Sequence, residues 1–227
     1  MRSYGQYCPL ARASELLATR WTLIVVRNLL LGCRTLQEIE DGAPGIPPAL
    51  LRERLQQLEL AGVVSRRPKP TGRGSEWELT EAGRRLAPVC DAMANWGMEW
   101  LQLGPQHHDP YVVLWSICRV MPPSALPAHR LVARFELAGS DPPRLWLLTD
   151  SRTAEICVKP PGFGEDLVVR TDPVTLLDWH LGRLSLGRAM HARRATVQGS
   201  SEAVRILAGW GGLGVRHGRG PEDTAAG

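Results

Sequence analysis

Apolar residues between Ala49 and Thr80 change their period twice. Leu51, Leu55 and Leu58 recur at helical spacing, with Arg52, Glu53, Arg54, Gln56 and Gln57 on the other sides, so an amphipathic helix is predicted there. Gly62 closes it, and Val63–Val64 open a short strand. Pro68, Pro70, Gly72 and Gly74 hold a loop that carries Arg66, Arg67, Lys69 and Arg73. Trp77 and Leu79 then alternate with charged residues as a return strand does. Upstream, residues 9–18 predict a first helix, Trp21–Leu31 a strongly apolar second, and Thr35–Glu40 a short third capped by Thr35. Proline at 47–48 suits the first turn of the fourth helix. Thr80 caps a fifth segment, along which Leu86, Val89, Met93, Trp96 and Trp100 form a stripe; Pro88 kinks or restarts it.

The texture changes at GPQHHDP (104–110), a linker by composition. Val112–Val120 predicts a short helix. Strand-type segments follow at 129–137, 144–149, 154–158 and 167–171, separated by turn signals. Pro173 opens a helix, a second spans about 183–190, a last strand covers 195–198, and a terminal helix covers 200–210. The expected division is therefore 1–104, a linker at 105–110, a second domain at 111–213 and a disordered tail at 214–227.

Charge sharpens only the first half. The whole chain carries +4, with 27 Lys+Arg against 23 Asp+Glu. The excess is spread evenly: 13 against 11 in residues 1–104 and 14 against 12 in the remainder. Between Arg52 and Arg73, however, six cations meet two anions, a local patch of the kind that faces phosphates. The five cysteines are scattered, with no CxxC pair, so neither a zinc site nor a disulfide framework is expected. No signal-like or membrane-length apolar run is present, and the reading is cytoplasmic, without a membrane partner. His107–His108–Asp109 lacks a second ligand pair, and no metal is expected. No nucleophile–base pair or glycine-rich phosphate loop occurs, so neither an enzyme nor a cofactor is expected.

The run Cys8–Pro9, Trp21–Thr22, Leu30–Leu31–Gly32, Gly45–Ile46, Leu51-x-x-Arg54-Leu55-x-x-Leu58-Glu59-x-x-Gly62-Val63-Val64, Arg66–Arg67, Leu79–Thr80-x-x-Gly83 and Trp96–Gly97 resembles the HxlR-type branch of the MarR-like winged-helix regulators over nearly all of residues 7–101. The resemblance implies a homodimer that binds a double-stranded operator, usually as a repressor. It also implies dimerisation through the first and last helices of the domain, here Leu10, Leu17, Met93, Trp96 and Trp100. Pro47 stands where relatives commonly carry Ser and offers neither a hydroxyl cap nor a backbone N–H to a phosphate. Leu36 replaces the Phe usual in the third helix. The second half resembles a sterol carrier protein type-two-like domain. That resemblance rests on the order of elements and on the stretch Leu167–Leu184, and implies an α+β shell around an apolar tunnel, so that the whole chain is expected to be α+β, a winged helix-turn-helix domain followed by a sterol-carrier-like domain.

Candidate residues follow from both readings. Pro48, Ala49, Leu50, Arg52, Glu53, Arg54 and Gln56 at the head of the fourth helix are expected to meet DNA, with Arg66, Arg67, Lys69 and Arg73 on phosphates or in a minor groove. The bland alternative is a solvated helix face and a solubilising loop, with Arg54 bracing the wing or a neighbouring helix. Trp115, Trp146, Leu148, Leu176, Leu177, Trp179, Leu181, Leu184 and Met190, and with them Trp210, line a pocket for an apolar or amphipathic small-molecule effector or else fill a core. Cys8, ahead of the first helix, is by resemblance a sensor of oxidants or electrophiles, and otherwise an ordinary half-buried thiol. Three functions stand open: a ligand-responsive regulator, a redox regulator acting through Cys8, and a lipid carrier or enzyme accessory that uses the winged helix only to dimerise.

Overall fold

In the computed structural model, which describes residues 3–69 and 74–213, the chain divides into two compact units, Met1–Trp100 and Leu101–Gly227. The first contains α1 (Pro9–Leu17), α2 (Thr22–Leu30), α3 (Leu36–Asp41), α4 (Pro48–Leu60), β1 (Val64–Pro68), β2 (Ser75–Leu79), α5 (Glu81–Arg84) and α6 (Ala87–Trp100). Its interior is built from Val25 and Val26 of α2, Ile39 of α3, Leu51, Leu55 and Leu58 of α4, and Trp77 of β2. Thr35 and Glu38 form a reciprocal capping box at the start of α3. Thr80 accepts the Gly83 N–H and starts α5. The expected single fifth helix is two: α5 stops at Arg84, and α6 restarts at Ala87 with Pro88 in its first turn, where a missing N–H costs nothing.

An N-terminal arm is pinned to α1 by one carboxylate. Glu15 accepts the Ser3 hydroxyl at 2.8 Å and the Tyr4 backbone N–H at 2.7 Å, and pairs with Arg12. The Tyr4 N–H, then the Ser3 hydroxyl, hold its carboxyl below the usual range against the opposing effect of burial. Folding lowers this pKa, so the tether is complete above the ordinary carboxylate range and is lost as pH falls through the lowered value. The Tyr4 amide resonance should therefore titrate below the pH of an exposed glutamate. Glu15→Gln should abolish that titration; persistence in the variant would exclude Glu15 as its source.

The second unit holds α7 (Pro110–Val120), β3 (Leu131–Leu137), β4 (Arg144–Thr149), β5 (Ala154–Cys157), β6 (Leu167–Thr171), α8 (Pro173–His180), α9 (Leu186–His191), β7 (Thr196–Gly199) and α10 (Ser201–Ala208). Asp109, Asp172, Ser185 and Ser200 cap α7, α8, α9 and α10 through their side chains. From β3 onward the order is the one expected of a sterol-carrier-like domain, and the whole chain is α+β. The sheet runs β5–β4–β3–β6–β7, antiparallel throughout except for the parallel β3–β6 pair. One face, bearing Ala133, Phe135, Leu145, Leu147, Leu167 and Val169, packs on Leu114 and Ile117 of α7, Leu176 of α8 and Leu207 of α10. The side chains one position away along each strand stand on the opposite face. No helix among the described residues is long and apolar enough to cross a membrane.

The expected apolar tunnel does not appear among the described residues. The core of this unit contains a void of about 20 Å³ bordered by Phe135, Leu176, Trp179, Leu186 and Leu207, among others. That is room for a single water, whereas small-molecule sites run to roughly 300–1,000 Å³. Of the nine residues expected to line a pocket, only Leu176 and Trp179 border this void. Leu181 packs half-buried against the same core, and Leu177, also buried, borders instead a separate open groove of about 470 Å³ with Val174, Asp178 and Arg183. Trp146 and Leu148 alternate with Leu145 and Leu147 along β4 and so face away from α8. Trp146 is covered instead by the segment carrying Glu165, which accepts its indole N–H at 3.0 Å. Trp115 is buried outside the main apolar cluster, Leu184 is half-buried, and Met190 is exposed.

Candidate nucleic-acid interface

Pro47 takes the N-cap position of α4 in extended conformation and Pro48 the first helical position. Neither has an N–H to offer a phosphate, so the start of this helix presents side chains. Leu51, Leu55 and Leu58 anchor its lower face. The 3.6-residue period then puts Pro48, Ala49, Arg52, Glu53 and Gln56 at the surface, with Leu50 half-buried at the margin. Thirteen residues make a rod about 20 Å long, which fits a major groove about 12 Å wide. Arg52 makes no ion pair with any described residue and is the cation this face leaves available.

Arg54 departs from the expectation of DNA contact. Only 9% exposed, it donates its Nε–H to the Arg20 carbonyl at 3.1 Å and its Nη1 to Glu53 and Gln57 at 2.8 and 3.0 Å. It braces α4 against the turn that leads into α2, where Trp21 adopts a left-handed backbone. Glu53, in turn, accepts from Gln57 as well. We expect Arg54→Ala to lower stability by about 1.5–3 kcal/mol, the range for a lost hydrogen bond to a charged group. Urea titration of the variant checks this, and a midpoint equal to wild type would contradict the bracing role.

The wing pairs Val64 with Leu79 through Pro68 with Ser75. Arg66 lies over the Trp77 ring at 5.7 Å and donates to the Ser75 hydroxyl at 2.8 Å, which stiffens a side chain that still reaches solvent. Arg67 pairs with Glu78 at 3.2 Å and remains largely exposed. Lys69 is half-buried where its N–H meets the Gly74 carbonyl. Arg73, with Pro70 and Gly72, lies outside the described residues. The structure also adds Arg34, which no local pattern flags: its carbonyl accepts the Trp77 N–H at 2.8 Å and its guanidinium meets Glu78 at 2.6 Å. A residue 44 positions away thereby becomes part of the wing's base.

On α6 none of the fourteen residues is buried within the chain. Met93, Trp96 and Trp100 are 55%, 58% and 66% exposed. On α1, Leu10 is exposed and Leu17 half-buried. Cys8 is the N-cap residue of α1 and half-buried; its carbonyl accepts the Arg12 N–H at 3.0 Å. No three His, Cys, Asp or Glu side chains among the described residues are grouped to hold a metal.

Comparison with known proteins places this geometry. The model of the HxlR-like helix-turn-helix family matches residues 16–105. The HTH-type transcriptional regulator YvaP of Bacillus subtilis is 38% identical over 99 residues, 43% of this chain and 92% of that protein. The reduced form of the transcriptional regulator YodB from B. subtilis is 31% identical, covers 44% of this chain and 99% of its own, and superposes with a TM-score of 0.38. A UbiJ-SCP2 ubiquinone synthesis protein covers 54% of this chain and 93% of its own at 18% identity and a TM-score of 0.32. With YvaP matched over nine-tenths of its length, and with the reading helix and wing both in place, the chain belongs to the HxlR-like helix-turn-helix family of transcriptional regulators.

Proposed function

We propose that the chain works as a homodimer that occupies a pseudo-palindromic operator and represses the genes beside it. The observation that carries this reading is α6. A fourteen-residue helix with Met93, Trp96 and Trp100 in water is an apolar face of the kind that marks a protein–protein contact. A second copy supplies a matching patch by two-fold symmetry. The dimer would then present two α4 helices to major-groove segments about 34–36 Å apart. Arg52 and Gln56 would contact base edges, while Arg66 and Arg67 would contact phosphates. Repression follows most directly, because a dimer that blocks a promoter needs no surface for the polymerase.

Control by an apolar effector inside the second unit is not part of this reading, because the void bordered by Leu176 and Trp179 holds no more than a single water. Sedimentation of the protein with a duplex from its own upstream region tests the proposal. Two chains per duplex are expected, and one chain per duplex would overturn the symmetric arrangement.

A further inference from the structure

We propose that the second unit binds a small organic oxyanion, through its phosphate or carboxylate group, in an arginine-walled groove at one end of the sheet. Its lining residues all belong to the second unit, and the proposal does not rest on the DNA-binding reading. The groove is open, has a volume of about 770 Å³, and lies where β3 and β6 end, β4 begins and the α9–β7 turn passes.

Strand register builds its floor. Arg144 pairs with Glu136, Glu136 with Arg170, and Arg170 with Thr196, so four adjacent strands put one row of side chains on the same face. Arg193 and Arg194, in the turn after α9, line the same groove beside this row.

The charges do not cancel. Arg170 is held by Glu136 at 2.6 Å. Arg194 is committed to α8, with its Nε on the Thr175 hydroxyl at 3.1 Å and its Nη2 on Asp178 at 3.1 Å. Asp172, the other carboxylate in the wall, caps α8 by accepting the Thr175 N–H and hydroxyl at 2.9 and 2.6 Å. Arg144 and Arg193 have no acidic partner among the described residues. Two arginines that line the groove are therefore free of acidic partners among the described residues, and their guanidiniums have the fork geometry that grips carboxylate and phosphate. Arg193 also sits at φ +56°, just beyond the end of α9, where glycine is the less strained choice. A concave site whose wall includes two carboxylates suits a compact anion with hydroxyl donors better than the continuous phosphate ladder of a nucleic acid.

Amide shifts of the full-length, ¹⁵N-labelled protein titrated with inorganic phosphate, at ionic strength held constant with chloride, test the proposal. Sodium acetate in a parallel titration separates a preference for phosphate from one for carboxylate. Saturable shifts at Arg144 and Thr196 are expected with either anion. The double variant Arg144→Gln/Arg193→Asn, in which asparagine tolerates the left-handed backbone, should weaken binding roughly tenfold or more. Non-saturating shifts with both anions, or unchanged affinity in the double variant, would overturn the site. So would shifts at these residues caused by a DNA duplex but not by phosphate or acetate.

Discussion

Replacing Met93 and Trp96 by glutamate should convert the protein to a monomer at micromolar concentration and reduce operator affinity by at least about a hundredfold. Both side chains are already in water in the single chain, so the folded unit loses little by the change. In a dimer the same positions would bring four carboxylates into an apolar contact, where burying unpaired charge is costly. Operator affinity falls with the dimer because two half-sites bound by linked readers gain from effective concentration, and that gain reaches about 10²–10⁴. Light scattering gives the mass and fluorescence anisotropy the affinity. A monomeric variant with wild-type operator affinity would show that a single winged helix suffices, and the role assigned to α6 would be wrong.

Trp210→Ala should destabilise the second unit by about 3–5 kcal/mol, the range for truncating a fully buried aromatic. Trp210 is 0% exposed, lies beyond the end of α10, and donates its indole N–H to the Ala125 carbonyl at 3.1 Å. It thereby fastens the chain's last described turn to a segment 85 residues earlier. Trp210→Phe keeps an aromatic ring but loses that hydrogen bond and part of the indole's volume, so its cost should be smaller, about 2 kcal/mol. Thermal melts followed in the near-ultraviolet circular dichroism report both. Equal losses for the two variants would assign the stabilisation to the hydrogen bond instead of to packing.

Local pattern carried much of this molecule. The leucine spacing of α4, the Thr35–Glu38 box, the Thr80 cap and the turn signals around β3 to β6 each act within a few residues, and each element lies close to where its residues place it. What escaped depends on partners distant in sequence. Arg54 stands three residues after Leu51 and four before Leu58, at the margin of the buried stripe, but the acceptor that holds it there, the carbonyl of Arg20, is not visible in that spacing. Arg34 reads as a loop cation until Trp77 and Glu78 arrive beside it. The residues grouped for a pocket are dispersed for a related reason. In β4, Leu145, Trp146 and Leu147 are all buried, so the alternation that tells one sheet face from the other is missing from RLWLLT. Trp146 and Trp179, grouped by composition, face different neighbours. Whether apolar residues line a tunnel or fill it is decided by packing at the scale of one side chain, which periodicity does not report.

The central claim is that α4 reads base sequence while the wing supplies charge. Fluorescence anisotropy on a labelled upstream duplex and a scrambled duplex, across a salt series, with wild type and Arg52→Ala, tests it most directly. The account predicts that wild type prefers the upstream duplex by several decades, about the 10³–10⁷ typical of specific binding. Arg52→Ala should narrow that preference by about 1–3 kcal/mol while leaving most of the salt dependence in place. Equal, steeply salt-dependent binding of wild type to both duplexes, unaffected by Arg52→Ala, would contradict it.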